Sequence, residues 1–225
     1  MPGPFAGRRC LFAHGFEGTP RGRKASFLQQ VMGFDVIAPM LSNGGWTPEG
    51  QSVLLEEAYD AAPNVDVIIG SSFGALAVLL MAQRKKKQRL KLMLLAPAIG
   101  LDAVWRKRIG DGAMVHWAKH GTRPHEHDGL NRRIQLPYEH WQGCKAASHL
   151  VTTHPTIFIH GLQDQTIPIE NVWRCARNSP GTVGFYVVPD DHRLRHSEAV
   201  IEQGLNSLLD SHTEQSGGEP QQPVH

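Results

Sequence analysis

The feature that most constrains this chain is a five-residue turn, Gly70-Ser71-Ser72-Phe73-Gly74, set between two apolar segments. Before it, Val65 to Ile69 reads as a short strand rich in β-branched residues. After it, Gly74 to Arg84 reads as a helix that stays apolar until its last turn. Glycines two positions either side of Ser72 allow a strand and a helix to pack closely around a strained backbone. Such a turn lifts the Ser72 hydroxyl out at the carboxyl edge of a sheet, above a helix N-terminus that favours developing negative charge. Ser72 is therefore a candidate nucleophile. A bare G-x-S-x-G occurs often by chance; its position between strand and helix gives this one meaning.

The same alternation runs through the rest of the sequence. Further strands are expected at Arg9 to Ala13, Asp35 to Pro39, Lys91 to Leu95, Thr156 to Ile159 and Gly184 to Val188. Helices are expected at Lys24 to Met32 (Ala25, Leu28, Val31 and Met32 inward), at Gln51 to Ala61 (Val53, Leu54 and Ala58 inward) and at Ser197 to Leu209 (Val200, Ile201, Leu205 and Leu208 inward). Strands separated by helices predict an α/β fold, a parallel sheet covered on both faces. Its 225 residues, 40% hydrophobic, suit one domain. That domain is expected over residues 1–210, with an insertion at about 100–150 that carries Trp105, Trp117 and Trp141 and no strand pattern. So long an excursion reads as a small helical cap over a site, not a structureless loop. The three tryptophans either line a pocket there or pin the cap to the sheet. Residues 211–225 lack core residues and are expected to form a disordered tail.

Composition removes several functions. A net charge of +2 with 20% charged residues fits neither a disordered chain nor a strongly basic nucleic-acid binder. The run Arg84 to Lys91 reads as a solvated helix end whose cations offset the dipole, with no aromatic residue interleaved for base stacking. No apolar run approaches the ~18 residues of a membrane span, and none near the N-terminus resembles the core of a signal peptide. Three scattered cysteines (Cys10, Cys144, Cys175) form no C-x-x-C pair, so a reducing, cytoplasmic setting is expected. His116, His120, His125 and His127 lack a carboxylate-supported motif such as H-E-x-x-H and read as polar cap surface, with no metal expected.

A serine nucleophile needs a base, and the base needs an orienting acid. The fifth strand is followed by His160-Gly-Leu-Gln-Asp164, the sixth by Pro189-Asp-Asp-His192. Both loops open on the edge where Ser72 emerges. Asp164 is the candidate acid and His192 the candidate base; Asp190 and Asp191 are rivals that would more naturally shape the turn beside His192. An oxyanion hole needs two backbone amides. Phe73, after the serine, is one candidate, and Phe16, after Gly15 in the loop that follows the first strand, is the other.

Taken together, Leu11-Phe-Ala-His-Gly-Phe16, Ile69-Gly-Ser-Ser-Phe-Gly74, Leu94-Leu-Ala-Pro97, His160-Gly-Leu-Gln-Asp164 with Ile167-Pro168, and Asp191-His192-Arg-Leu194 resemble the α/β-hydrolase superfamily. The likeness is to its small cytoplasmic serine-esterase branch and spans residue 9 to about 209, failing in the cap and tail. Members usually carry two further N-terminal strands, for which this sequence has no room. The resemblance implies a three-layer, six-stranded parallel sheet in the order 2-1-3-4-5-6, with the ligand crevice where the order reverses. It also implies a Ser-Asp-His order of catalytic groups, an acyl-enzyme route for cleaving carboxylic esters of small molecules, and no metal or organic cofactor. An acyl-thioesterase using the same triad, and a non-catalytic ligand binder on the same scaffold, are the other readings open at this point.

Overall fold

The computed structural model describes residues 2–210, so the expected tail at 211–225 lies outside the described residues. The strands are β1 (Arg9–Ala13), β2 (Asp35–Ile37), β3 (Val67–Ser71), β4 (Leu92–Leu95), β5 (Thr122–His127), β6 (Arg132–Pro137), β7 (Thr156–Gly161) and β8 (Thr182–Val188). The helices are α1 (Arg23–Ser26), α2 (Pro48–Asp60), α3 (Phe73–Arg84), α4 (Leu101–His120), α5 (Tyr138–Ala147), α6 (Ile169–Asn178) and α7 (Glu198–Asp210). Six strands form one sheet in the order β2-β1-β3-β4-β7-β8, every neighbouring pair parallel. Counting only these six, the order is 2-1-3-4-5-6, as expected.

Strand pleating sorts side chains to two faces. Leu11, Ile68, Leu92, Leu94 and Phe158 pack under α2, α3, α5 and α6. Their neighbours Cys10, Phe12, Ile69, Met93 and Ile157 face α7 and the segment after α1. β3, β4 and β7 are buried throughout, which is why they read as unbroken apolar runs. Thr47 caps α2, its hydroxyl accepting from the Gly50 amide, with Pro48 at the first helical position.

Several details differ from the sequence reading. α1 continues into a wider turn over Phe27–Val31, where the Met32 amide bonds the Phe27 carbonyl five residues back. That wider spacing aligns Phe27 with Met32 on the buried face and turns Val31 out. In α2 the inward row is Gln51, Ser52 and Leu55, while Val53 is exposed. Arg84 is not simply solvated at the end of α3. It bonds Glu49, Ser52 and Glu56 of α2, and Lys85 bonds Asp60 and Glu56.

The cap contains more than helices: α4 and α5 flank an antiparallel hairpin, β5 paired with β6. Ile134 and Leu136 point inward from β6 onto Met114, Trp117 and Trp141, forming a small core of its own. Among the described residues no helix is long and apolar enough to cross a membrane.

Candidate active site

Ser72 joins β3 to α3 with φ 53° and ψ −118°, a conformation L-residues rarely adopt. Close packing imposes it. A Cβ on Gly70 would stand 2.6 Å from the Ala75 Cα, and one on Gly74 would collide with the carbonyl oxygens of Ala13 and His14. Main-chain bonds fix the turn on both sides: the Ser72 amide donates to Leu95 O at 2.8 Å, and its carbonyl accepts from Ala75 and Ala98.

The loops after β7 and β8 bring the two candidate partners to this serine. The Ser72 hydroxyl donates to His192 Nε2 at 2.8 Å, and His192 Nδ1 donates to Asp164 Oδ2 at 2.7 Å. The Asp164 side chain is 1% exposed. Its other oxygen accepts the Thr166 and Ile167 amides at 2.8 and 2.9 Å. Burial opposes ionisation of this carboxyl, but the bonds from His192 and the two amides prevail and hold it below the ordinary carboxylate range. His160, fully buried, donates from Nε2 to Ile167 O and lies 3.4 Å from Asp164 Oδ2, with burial pulling its pKa down. Asp190 and Asp191 do shape the turn. Asp190 accepts from Asp191 N, His196 N and the Ser197 hydroxyl, and Asp191 accepts from Arg193 N.

The loop after β1 passes against the serine. A Cβ built on Gly15 would sit 3.3 Å from the Ser72 Cβ, a tight contact that glycine relieves. Phe16 follows at the mouth, its ring edge-on to that of Phe73 with centroids 5.4 Å apart. Phe73 opens α3, so its amide is among those a helix leaves without an internal partner.

Ser72 and His192 line a cleft of about 1050 Å³, walled also by Phe16, Phe73, Trp105 and His140. The cap tryptophans divide their labour. Trp105 lines the cleft, whereas Trp117 and Trp141 are buried and donate to the carbonyls of Leu136 and Asp102. Glu17 ties the loop after β1 to the cap: its carboxylate accepts from His125 Nε2 and from the Asp128 amide, both at 2.7 Å, with His127 Nδ1 3.3 Å away. Burial opposes its ionisation, but these partners hold its pKa low. Neither Glu17 nor His140 is among the site residues expected from the sequence. The one available signal is that His140, Cys144 and Ala147 share a buried stripe on α5 at helical spacing. Among the described residues no group of three or more His, Cys, Asp or Glu could hold a metal; His116 and His120 instead stack on each other at 4.0 Å.

A parallel 2-1-3-4-7-8 sheet with a strained serine turn at the strand-order reversal is the α/β-hydrolase fold. Solved structures agree. Alpha/beta hydrolase domain-containing protein 10 from mouse aligns with a TM-score of 0.69 at 19% identity, over 90% of this chain and 89% of that one. Est1E from Butyrivibrio proteoclasticus aligns with a TM-score of 0.69 at 18% identity, over 92% and 89%. A metagenome-derived lipolytic enzyme, from work on LipS and LipT, gives 0.66 at 14% identity over 94% and 97%. No curated protein matches significantly by sequence. The model of the Uncharacterised protein family (UPF0227) matches residues 9–183, and the chain belongs to that family.

Proposed function

We propose that this chain is a serine hydrolase of carboxylic esters, working through an acyl-enzyme. Ser72 attacks the ester carbonyl while His192 Nε2 takes its proton; Asp164 holds the imidazole in the required tautomer and offsets its positive charge. The amides of Phe16 and Phe73 receive the oxyanion. His192, now protonated, gives its proton to the leaving alcohol, and the same base then activates water to release the acid. One observation carries this reading: the continuous path from Ser72 Oγ to His192 at 2.8 Å and from His192 to Asp164 at 2.7 Å, at the edge of an open cleft. The esterase and lipolytic names among the structural neighbours are consistent with it. The proposed unit is a single domain through residue 210 with the cap as an insertion at about 100–150, and three buried free cysteines accord with a cytoplasmic setting.

The test pairs labelling with turnover. A serine-directed phosphonate should form one adduct, on Ser72, and an ester series graded by acyl length should be cleaved by wild type but not by Ser72→Ala. Equal turnover by both proteins would sink the assignment. Adduct formation without turnover of any ester would point instead to thioesters, and the absence of both to a ligand binder.

A further inference from the structure

Within the cleft, one ring has no part in the chemistry above. His140 on α5 is 1% exposed. Its Nδ1 lies 2.5 Å from Trp46 O, and a carbonyl only accepts, so Nδ1 carries the proton and Nε2 a bare lone pair. Burial draws its pKa down to about 4, and the neighbouring His125 pushes the same way, so the ring is neutral near pH 7. Nε2 is buried and has no hydrogen-bond partner. Four other buried side-chain polar atoms among the described residues share that condition, on Gln51, Arg123, His127 and His160, and none of these residues lines the cleft. His140 does. Trp46, which occupies the Nδ1 edge, is not part of the cleft wall, and Nε2 is left as the one polar atom of this ring without a protein partner.

The surroundings say what kind of group could reach it. The His140 ring stacks flat on Phe73 at 5.0 Å and 8°, with Phe16 and Trp105 edge-on at 5.1 and 5.9 Å. A flat apolar group suits such walls. A lone acceptor among them, left dry, penalises any occupant that offers no donor. A hydroxyl answers that need while remaining neutral.

We propose that His140 Nε2 accepts a hydrogen bond from a hydroxyl on an aromatic arm of the substrate, which makes hydroxylated aryl esters the preferred class. The inference rests on the ester-hydrolase reading for its chemistry but not for its contact. A site built to bond a hydroxyl rejects the analogue that lacks it, because the protein acceptor is then stranded.

Matched ester pairs test this: a hydroxyphenylpropanoate against the phenylpropanoate of one alcohol, and a hydroxybenzyl against a benzyl ester of one acid. Wild type should favour the hydroxylated member of at least one pair by roughly 10- to 100-fold in kcat/KM. In His140→Asn, whose amide can still donate to Trp46 O, that ratio should collapse towards one. A wild-type ratio near one for both pairs, or an unchanged ratio in the variant, overturns the proposal. A readout independent of turnover and of the variant's folding is the ring nitrogen resonance of His140 in wild type. Hydroxyphenylpropanoate or hydroxybenzyl alcohol should move the Nε2 signal where the deoxy analogues do not; equal response to both overturns the contact. Absence of all ester turnover and of a Ser72 adduct would defeat the ester reading, while the resonance still decides the contact.

Discussion

Glu17 and His125 meet at 2.7 Å across the mouth of the cleft, joining the loop beside Ser72 to the first strand of the cap hairpin. The second oxygen of Glu17 holds the Asp128 amide, so one carboxylate fastens two points of the cap. Charge-assisted bonds to backbone amides are among the stronger ones. Glu17→Gln should therefore loosen the hairpin: exchange of the Asp128 amide is expected to quicken by about tenfold, and KM for cleft-filling esters to rise while kcat changes less.

The left-handed backbone of Ser72 separates two ways of removing its hydroxyl. Ser72→Ala keeps a Cβ at φ 53°, whereas Ser72→Gly releases that strain. Both should lose ~10³-fold or more in ester turnover. In urea denaturation, however, the glycine variant should be the more stable of the two by about 1 kcal/mol. Equal stability would show that the turn carries no such strain.

Asp164 and Asp190 make opposite predictions although both are well-bonded carboxylates. Asp164→Asn can keep an oxygen for the Thr166 and Ile167 amides but offers His192 an N–H where an acceptor is needed. Turnover should fall by ~10⁴ with little loss of stability. Asp190→Asn touches none of the proposed reacting groups and should leave kcat within a few-fold, while lowering the melting temperature through weakened bonds to His196 and Ser197.

Acid should unfold this protein by way of its buried histidines. The pKa of His140 falls to about 4 in the fold, against an ordinary value near 6.5. Between those limits the unfolded chain binds a proton that the folded chain refuses, so stability drops as pH falls from about 6.5 to 4. The contribution of this ring is ~3 kcal/mol. His14 and His160, also lowered chiefly by burial, add in the same direction. Chemical denaturation across this range should show the slope, and His140→Asn should flatten it.

The layout of the sheet was legible because β3, β4 and β7 are buried on both faces and their composition says so directly. Ser72, Asp164 and His192 were legible because each follows its own strand. Helix faces were less so: the i→i+5 bond at Met32 displaces Val31 from a row that a regular helix would have filled. The hairpin was hidden because β5 carries Pro124 and two histidines, and β6 shows only Ile134 and Leu136 as an alternating pair. His140 was hidden for another reason. A histidine beside a glutamate looks like surface, and only the positions of Trp46, Phe73 and Phe16 reveal that it is enclosed.

Gly110 interrupts α4 with φ 81° and ψ 159°, so the twenty-residue element is two rods meeting at a joint. Leu101, Val104 and Trp105, which form one side of the cleft, stand on the first rod; Met114 and Trp117, which root the cap, stand on the second. The first rod is moored on two sides, Leu101 and Val104 against the main core and Asp102 through its bonds to Trp141 and Ser148, so this wall of the cleft is braced by the same scaffold that aligns Ser72 with His192.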